Sequence, residues 1–262
     1  MIGTVRILGS GTSQGIPMIA CGCDVCHSTD PRDKRLRASI LLELNGSNYC
    51  VDAGPDFRYQ LLREKVTHLE GILFTHEHKD HVAGLDDVRA FNYFTQKPMN
   101  VYCSQNVDIA LRREFHYIFD EKDYPGVPKL NLIPIENNPF DLDGVQVLPI
   151  EVMHYKLPVL GFRIGNFAYI TDAKTVETEE REKIKNVDIL IVNALHKFPH
   201  ISHFNLDEAL AFIADIQPKQ AYLTHISHLF GKHEDILPQL PENVSILYDG
   251  MSFEFEFLNG KM

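Results

Sequence analysis

Short apolar runs that stop abruptly in polar residues organise this chain. Thr4 to Leu8 is apolar and runs into Gly9-Ser10-Gly11-Thr12-Ser13-Gln14-Gly15. Residues 39–44 and 48–51 flank Asn45-Gly46, a pair that favours a tight hairpin because both residues tolerate positive φ. GILFT (71–75), residues 145–153, FAYIT (167–171), VDILIV (187–192) and QAYLT (220–224) have the length and apolar content of further strands. Helical spacing is clearest from Leu206 to Ile216. Asn205 precedes it as N-cap, Glu208 sits three residues on as in a capping box, and Pro218 ends it.

The ends of these strands carry the chemistry. GILFT delivers His76, residues 145–153 deliver His154, FAYIT delivers Asp172 and QAYLT delivers His225. Four strands each hand a metal-binding side chain to the loop beyond the carboxyl end. In α/β proteins that edge is where ligands bind.

Composition sets bounds. The chain has 262 residues, 44% hydrophobic and 23% charged, with no repeat or Gly/Ser linker, so residues 1–262 read as one domain. No apolar run approaches the roughly 18 residues of a membrane span, so no membrane partner is expected. Met1 to Leu8 lacks the basic and long apolar regions of a secretory signal, and a cytoplasmic location is expected. The net charge of −11 argues against a long nucleic acid, which needs a basic surface. A small phosphorylated substrate remains compatible, because bound metal adds local positive charge.

His76-Glu77-His78-Lys79-Asp80-His81 places three histidines and an aspartate within six residues. On a turn from strand to helix this spacing can direct His76 and His78 to one centre and Asp80 and His81 to another. Imidazole and carboxylate together suit zinc, manganese or iron. Five cysteines are present. Cys50 and Cys103 stand alone among apolar residues and read as buried thiols. Cys21, Cys23 and Cys26 form a Cys-x-Cys-x-x-Cys cluster, the thiolate set of a structural zinc site. His228, in Thr224-His225-Ile226-Ser227-His228, is the best fourth ligand, with His27 and His233 as alternatives.

The His-x-His-x-Asp-His run, with Asp52 in Val51-Asp52-Ala53-Gly54, His154, Asp172 and His225 in order, resembles the metallo-β-lactamase superfamily. The opening Gly-Ser-Gly-Thr-Ser-x-Gly-x-Pro, the cysteine cluster and Thr-His-x-Ser-His narrow this to a resemblance to the PhnP-like cyclic-phosphate phosphodiesterases. The resemblance implies an α/β (α+β) fold, an αββα sandwich of two mixed sheets flanked by helices. It implies two divalent ions, zinc or manganese, in the hydrolytic site and one structural zinc. One ion would take His76, His78, His154 and Asp172. The other would take Asp80, His81, Asp172 and His225, with Asp172 bridging and Asp52 supporting the loop. Asp80 and His203 are the side chains expected to act in the chemical step, His203 near the leaving group. A homodimer is expected from relatives.

The expected activity is hydrolysis of a small cyclic phosphate or nucleotide phosphodiester. A tRNA 3′-processing nuclease and a thioesterase resembling glyoxalase II are the alternatives. His196 and His200 are expected at the surface. Phe91, Tyr93 and Phe94, with Phe115, Tyr117 and Phe119, read as core before they read as walls of a base pocket. Gly9–Gly15 lacks a Walker lysine and reads as a turn near the metals, with no ATP site.

Overall fold

The computed structural model describes residues 1–120 and 126–258. Its strands are β1 (Ile2–Gly9), β2 (Ser39–Leu44), β3 (Ser47–Val51), β4 (Gly71–Leu73), β5 (Met99–Cys103), β6 (Leu130–Pro134), β7 (Phe140–Leu142), β8 (Val145–His154), β9 (Leu157–Ile164), β10 (Phe167–Ile170), β11 (Ile189–Asn193), β12 (Gln220–Thr224), β13 (Val244–Ile246) and β14 (Ser252–Glu256). They form two seven-stranded sheets, ordered β14-β1-β2-β3-β4-β5-β6 and β13-β12-β11-β10-β9-β8-β7. Both are mixed. In the first, β14 to β3 pair antiparallel and β3 to β6 pair parallel. In the second, β7 to β10 pair antiparallel and β10 to β13 pair parallel.

Three apolar cores separate four layers. The inner core, with Val5, Leu42, Tyr49, Phe162, Tyr169 and Phe255, glues sheet to sheet. One outer core packs the Leu206–Ile216 helix through Phe212, Ile213 and Ile216 onto the second sheet. The other packs the helices Phe57–Arg63 and Gln105–Glu114 onto the first sheet through Phe57, Leu61, Val107 and Leu111. Sheets with one face on the partner sheet and the other under helices give the expected αββα sandwich.

Local signals in the sequence explain several joints. Asn45 (φ 52°) and Gly46 (φ 81°) make the β2–β3 hairpin turn. Asn205 accepts from the Glu208 backbone at 2.9 Å, and the Glu208 carboxylate accepts from the Asn205 backbone at 3.0 Å, completing the capping box. Cys50 and Cys103 are buried on β3 and β5.

The aromatic stretches divide. Phe115 is core, whereas Tyr93 and Phe94 are 72% and 82% exposed and Tyr117 is exposed as well, which corrects the expectation for those three. Their short helix (Arg89–Thr95) buries no residue fully. Phe91 and Phe94 line an outer cavity of about 560 Å³ with Phe57, Leu61 and Leu62, and none of its lining residues belongs to the metal-binding motifs. No helix among the described residues is long and apolar enough to cross a membrane.

Candidate metal centres

The parallel halves of both sheets end at one edge, and the histidines gather there. From β3, Asp52 points its carboxylate at the segment that follows β4. It accepts from the Thr75 amide at 2.9 Å, from Thr75 Oγ1 at 2.9 Å and from His81 Nδ1 at 2.6 Å. The carboxylate therefore holds a His81 proton on Nδ1, so Nε2 is the nitrogen the ring presents to the site. Thr75 gives its one hydroxyl proton to Asp52. Its contact with His76 Nδ1 at 3.0 Å must then be received from the ring, which frees His76 Nε2. His154 Nδ1 donates to Ser202 O at 2.7 Å. The Val51-Asp52-Ala53-Gly54 loop lies backbone to backbone against the His-motif helix (Lys79–Val82): a Cβ on Gly54 would stand 2.0 Å from Asp80 O, so only glycine fits.

These nitrogens converge on two carboxylates. His81 Nε2 is 3.2 Å from Asp80 Oδ2 and 3.4 Å from Asp172 Oδ2. His225 Nε2 is 3.3 Å from Asp172 Oδ1 and 3.8 Å from Asp80 Oδ2. Close as they are, the buried Nε2 atoms of His76, His81 and His225 have no hydrogen-bond partner among the described residues. Buried polar atoms are nearly always paired, so several orphaned lone pairs around carboxylates fit cations. Three overlapping groups could each hold an ion: His76-His81-Asp172, Asp80-His81-His225 and His154-Asp172-His203. His78 is more exposed; its ring lies 4.6 Å from that of His76 and 5.1 Å from that of His154. The groups cut across the division of ligands implied by the resemblance, and the one that includes His203 counts a nitrogen that faces Asp172 as a hydrogen-bond donor.

Charge is matched to this use. Burial and the neighbouring His81 push His76 well below the ordinary histidine range, leaving it neutral. Burial opposes ionisation of Asp172, but His225 and His81 outweigh it and hold the carboxyl well below its usual range. Asp80 is lowered in the same way, by His81 and His225 against burial. Neutral imidazoles and ionised carboxylates are the states that ligate. His81 departs from this pattern: burial opposes its charge, but Asp52, Asp172 and Asp80 outweigh burial and raise it well above the ordinary histidine range, so a cation must displace its second proton before it ligates as a neutral imidazole.

Backbone strain marks the same places. Asp52 (φ 66°), Asp172 (φ 59°) and His225 (φ 58°) follow β3, β10 and β12 in the left-handed region. Non-glycine residues adopt it at a cost of order 1–3 kcal/mol, and such residues concentrate at functional sites. Here the turn ends each strand at once and directs the side chain to the shared edge.

His203 Nε2 lies 3.0 Å from Asp172 Oδ1, and its Nδ1 is 3.0 Å from Ser202 Oγ and 3.2 Å from His200 Nδ1. Burial lowers its pKa to about 4 against the pull of Asp172. His200 is half-buried against it, ring to ring at 5.0 Å, and His196 is buried, 5.6 Å further on. This corrects the expectation of surface positions. The Leu206 amide bonds to His196 O, folding the loop back under the capped helix. Three histidines within eight residues just before an N-cap were the available signal.

The cysteine cluster closes on one histidine. Cys21 Sγ and Cys23 Sγ each lie 3.3 Å from His228 Nδ1, and Cys26 completes a group whose donor atoms are within 4.8 Å of one another. All three cysteines are free thiols. The Cys26 amide and His228 lower Cys23 to about 6, whereas burial raises Cys26 to about 11. Three sulfurs and a nitrogen suit tetrahedral zinc. The alternatives are turned elsewhere: His27 Nδ1 faces Cys23 O, and His233 Nδ1 faces the Arg35 guanidinium at 3.4 Å.

A family model, the β-lactamase superfamily domain, matches residues 47–226, from β3 to the residue after His225. The chain belongs to the metallo-β-lactamase superfamily. Within it, the chain is PhnP-like. A crystal structure described as a new diphosphatase from the PhnP family superposes with a TM-score of 0.92 at 35% identity, over 98% of each chain. Zinc-bound PqqB from Methylobacterium extorquens shares the fold at TM-score 0.78 and 20% identity, over 95% of this chain and 99% of that one. An octanoyltransferase of Porphyromonas gingivalis is 39% identical over 248 residues, 94% of this chain and 50% of that protein. The chain spans about half the length of the curated relatives it matches.

Proposed function

We propose that this metallo-β-lactamase-fold chain is a metal-dependent hydrolase that opens a phosphate diester in a small cyclic phosphate or nucleotide. The observation that carries this reading is the set of unpaired, buried Nε2 atoms on His76, His81 and His225 around Asp80 and Asp172. With both centres filled, a pair of divalent ions would supply an activated hydroxide and neutralise charge on the phosphoryl oxygens.

The chain's own residues do the rest. Asp52 and Thr75 fix the rings of His81 and His76. Asp172 reaches histidines from both sheets through its two oxygens and is the natural bridging ligand. His203, neutral at pH 7, holds a proton at Nε2 and gives it to Asp172 Oδ1. The leaving oxygen of a bound substrate is a second acceptor for that N–H, and the hydrogen bond stabilises the negative charge that develops there while the neutral ring keeps its proton. Ser202 Oγ and His200 hold the other side of the ring.

A second reading is cleavage of a diphosphate, favoured by the diphosphatase neighbour at 35% identity. Both reactions displace an oxygen from phosphorus and need the same donors. The protein, loaded with zinc or manganese, is to be assayed on bis(p-nitrophenyl) phosphate, a 2′,3′-cyclic nucleotide, a nucleoside diphosphate and a thioester. Phosphodiester turnover that a chelator abolishes and metal restores is expected. Turnover of the diphosphate alone selects the second reading, and turnover of the thioester alone overturns both.

A further inference from the structure

His225 differs from the other buried histidines of the centre. His76, His81, His154 and His203 each have a ring hydrogen bond on Nδ1, to Thr75, Asp52, Ser202 O and Ser202 Oγ. Among the described residues, neither nitrogen of His225 has such a partner. Its ring stacks on His203 at 4.9 Å, but stacking does not fix a ring's rotation about its own bonds as a hydrogen bond does. Something else must hold a residue that also sits at φ 58°.

The backbone on its carboxyl side is clamped. The Ile226 amide donates to Ser10 O at 2.9 Å, and the Thr12 amide donates to Ile226 O at 3.0 Å. Ser10 is fully buried and is itself fastened by its side chain. Its hydroxyl and amide both donate to Asp249 Oδ1, at 2.8 and 3.0 Å, and it accepts from Arg35 at 2.9 Å. Asp249 Oδ2 accepts in turn from the Leu36 amide at 2.8 Å and from Arg63 at 3.3 Å. The Gly-Ser-Gly-Thr turn is thus pinned from the far end of the chain, and it passes that constraint to the residue after His225.

We infer that Ser10 and Asp249 are positioning residues for His225: the Asp249–Ser10 pair sets its place at the metal edge through the backbone of Ile226. Neither residue is in a metal-binding motif. The inference rests on the reading of His225 as a metal donor. It accounts for how the strained backbone at His225 (φ 58°) is held, and for what the opening Gly-Ser-Gly-Thr turn does.

The experiment compares zinc affinity, by competition with a chromogenic chelator, and thermal stability in Ser10→Ala, Asp249→Asn, His225→Ala and Leu44→Ala. Leu44 lies in the core between the sheets and gives a loss of stability unconnected with the clamp. Ser10→Ala and Asp249→Asn should weaken zinc at the histidine centre by about 10- to 100-fold, as loss of outer supports to metal ligands does, while the cysteine-bound zinc stays. Leu44→Ala should lower Tm with zinc affinity unchanged. If His225→Ala binds zinc as tightly as the parent, the donor reading itself falls. If His225→Ala is weakened while folded Ser10→Ala and Asp249→Asn match the parent, or if Leu44→Ala weakens zinc as much as they do, the clamp is overturned and the reading stands.

Discussion

His81 Nδ1 lies 2.6 Å from Asp52 Oδ2, with both side chains buried, although 29 residues separate them. Asp52 follows β3 and His81 sits in the helix after β4, so the parallel pairing of those two strands creates the contact.

Asp52→Asn tests its importance. The amide can still accept from Thr75, but its NH₂ would face the His81 Nδ1 proton, so the ring must flip or change tautomer. Metal affinity at the histidine centre should fall about 10- to 100-fold, read by metal content after dialysis against a graded chelator. Unchanged content would show that the His81 ring is held by packing alone.

Cys23→Ser should remove one zinc per chain and lower Tm, because zinc bound only by the folded state contributes folding free energy. Catalysis should fall only as far as the Thr224–His228 segment loosens, since His228 meets Cys23 three residues beyond His225. A variant with parental Tm and zinc content would refute the structural site.

His203→Ala should retain its metals and lose about 10²- to 10³-fold in kcat on a substrate with an alkyl leaving group, the usual cost of removing a hydrogen-bond donor from developing negative charge. The loss on a nitrophenyl ester should be much smaller, because that leaving group needs little stabilisation. Equal losses on the two would reduce His203 to a binding residue.

Burial, with Arg35 and Arg32, lowers the pKa of His233 to about 4 from its ordinary 6.5. The unfolded chain therefore takes up this proton first as pH falls. The His233 contribution to stability is complete above about pH 6.5 and is lost progressively down to about pH 4, by up to about 3 kcal/mol. His233→Gln, which can still accept from Arg35, should show a shallower fall of Tm between pH 6.5 and 4 than the parent. Parallel curves would place the acid sensitivity elsewhere.

Much of the centre was legible in the sequence because its donors sit at strand ends in a fixed order, and QAYLT and the Leu206–Ile216 helix appear with the boundaries their residues predict. What spacing cannot show is how separate strand ends meet in space. The burial of His196 and the contact of His203 with Asp172 are therefore not visible in the sequence. β9 lacks a clear strand signal in its residues: it contains Pro158 and Gly161, types that usually interrupt strands, yet Pro158 lies next to the hairpin and a Cβ at Gly161 would stand 2.7 Å from Tyr169 O. Short β6 and β7 lie at sheet edges, where one-sided burial blurs the alternation.

The donors come from both halves of the sandwich: His76, Asp80 and His81 follow β4 of the first sheet, while His154, Asp172 and His225 belong to the second. Any ion held by members of both sets is a rivet across the seam between two otherwise greasy slabs. Stripping it would leave the inner core intact but unlatch one edge, and amide protons at the ends of β4, β10 and β12 should then exchange faster than those at the opposite edge. With such an ion in place, metal availability would set the mechanical closure of the molecule as well as its chemistry.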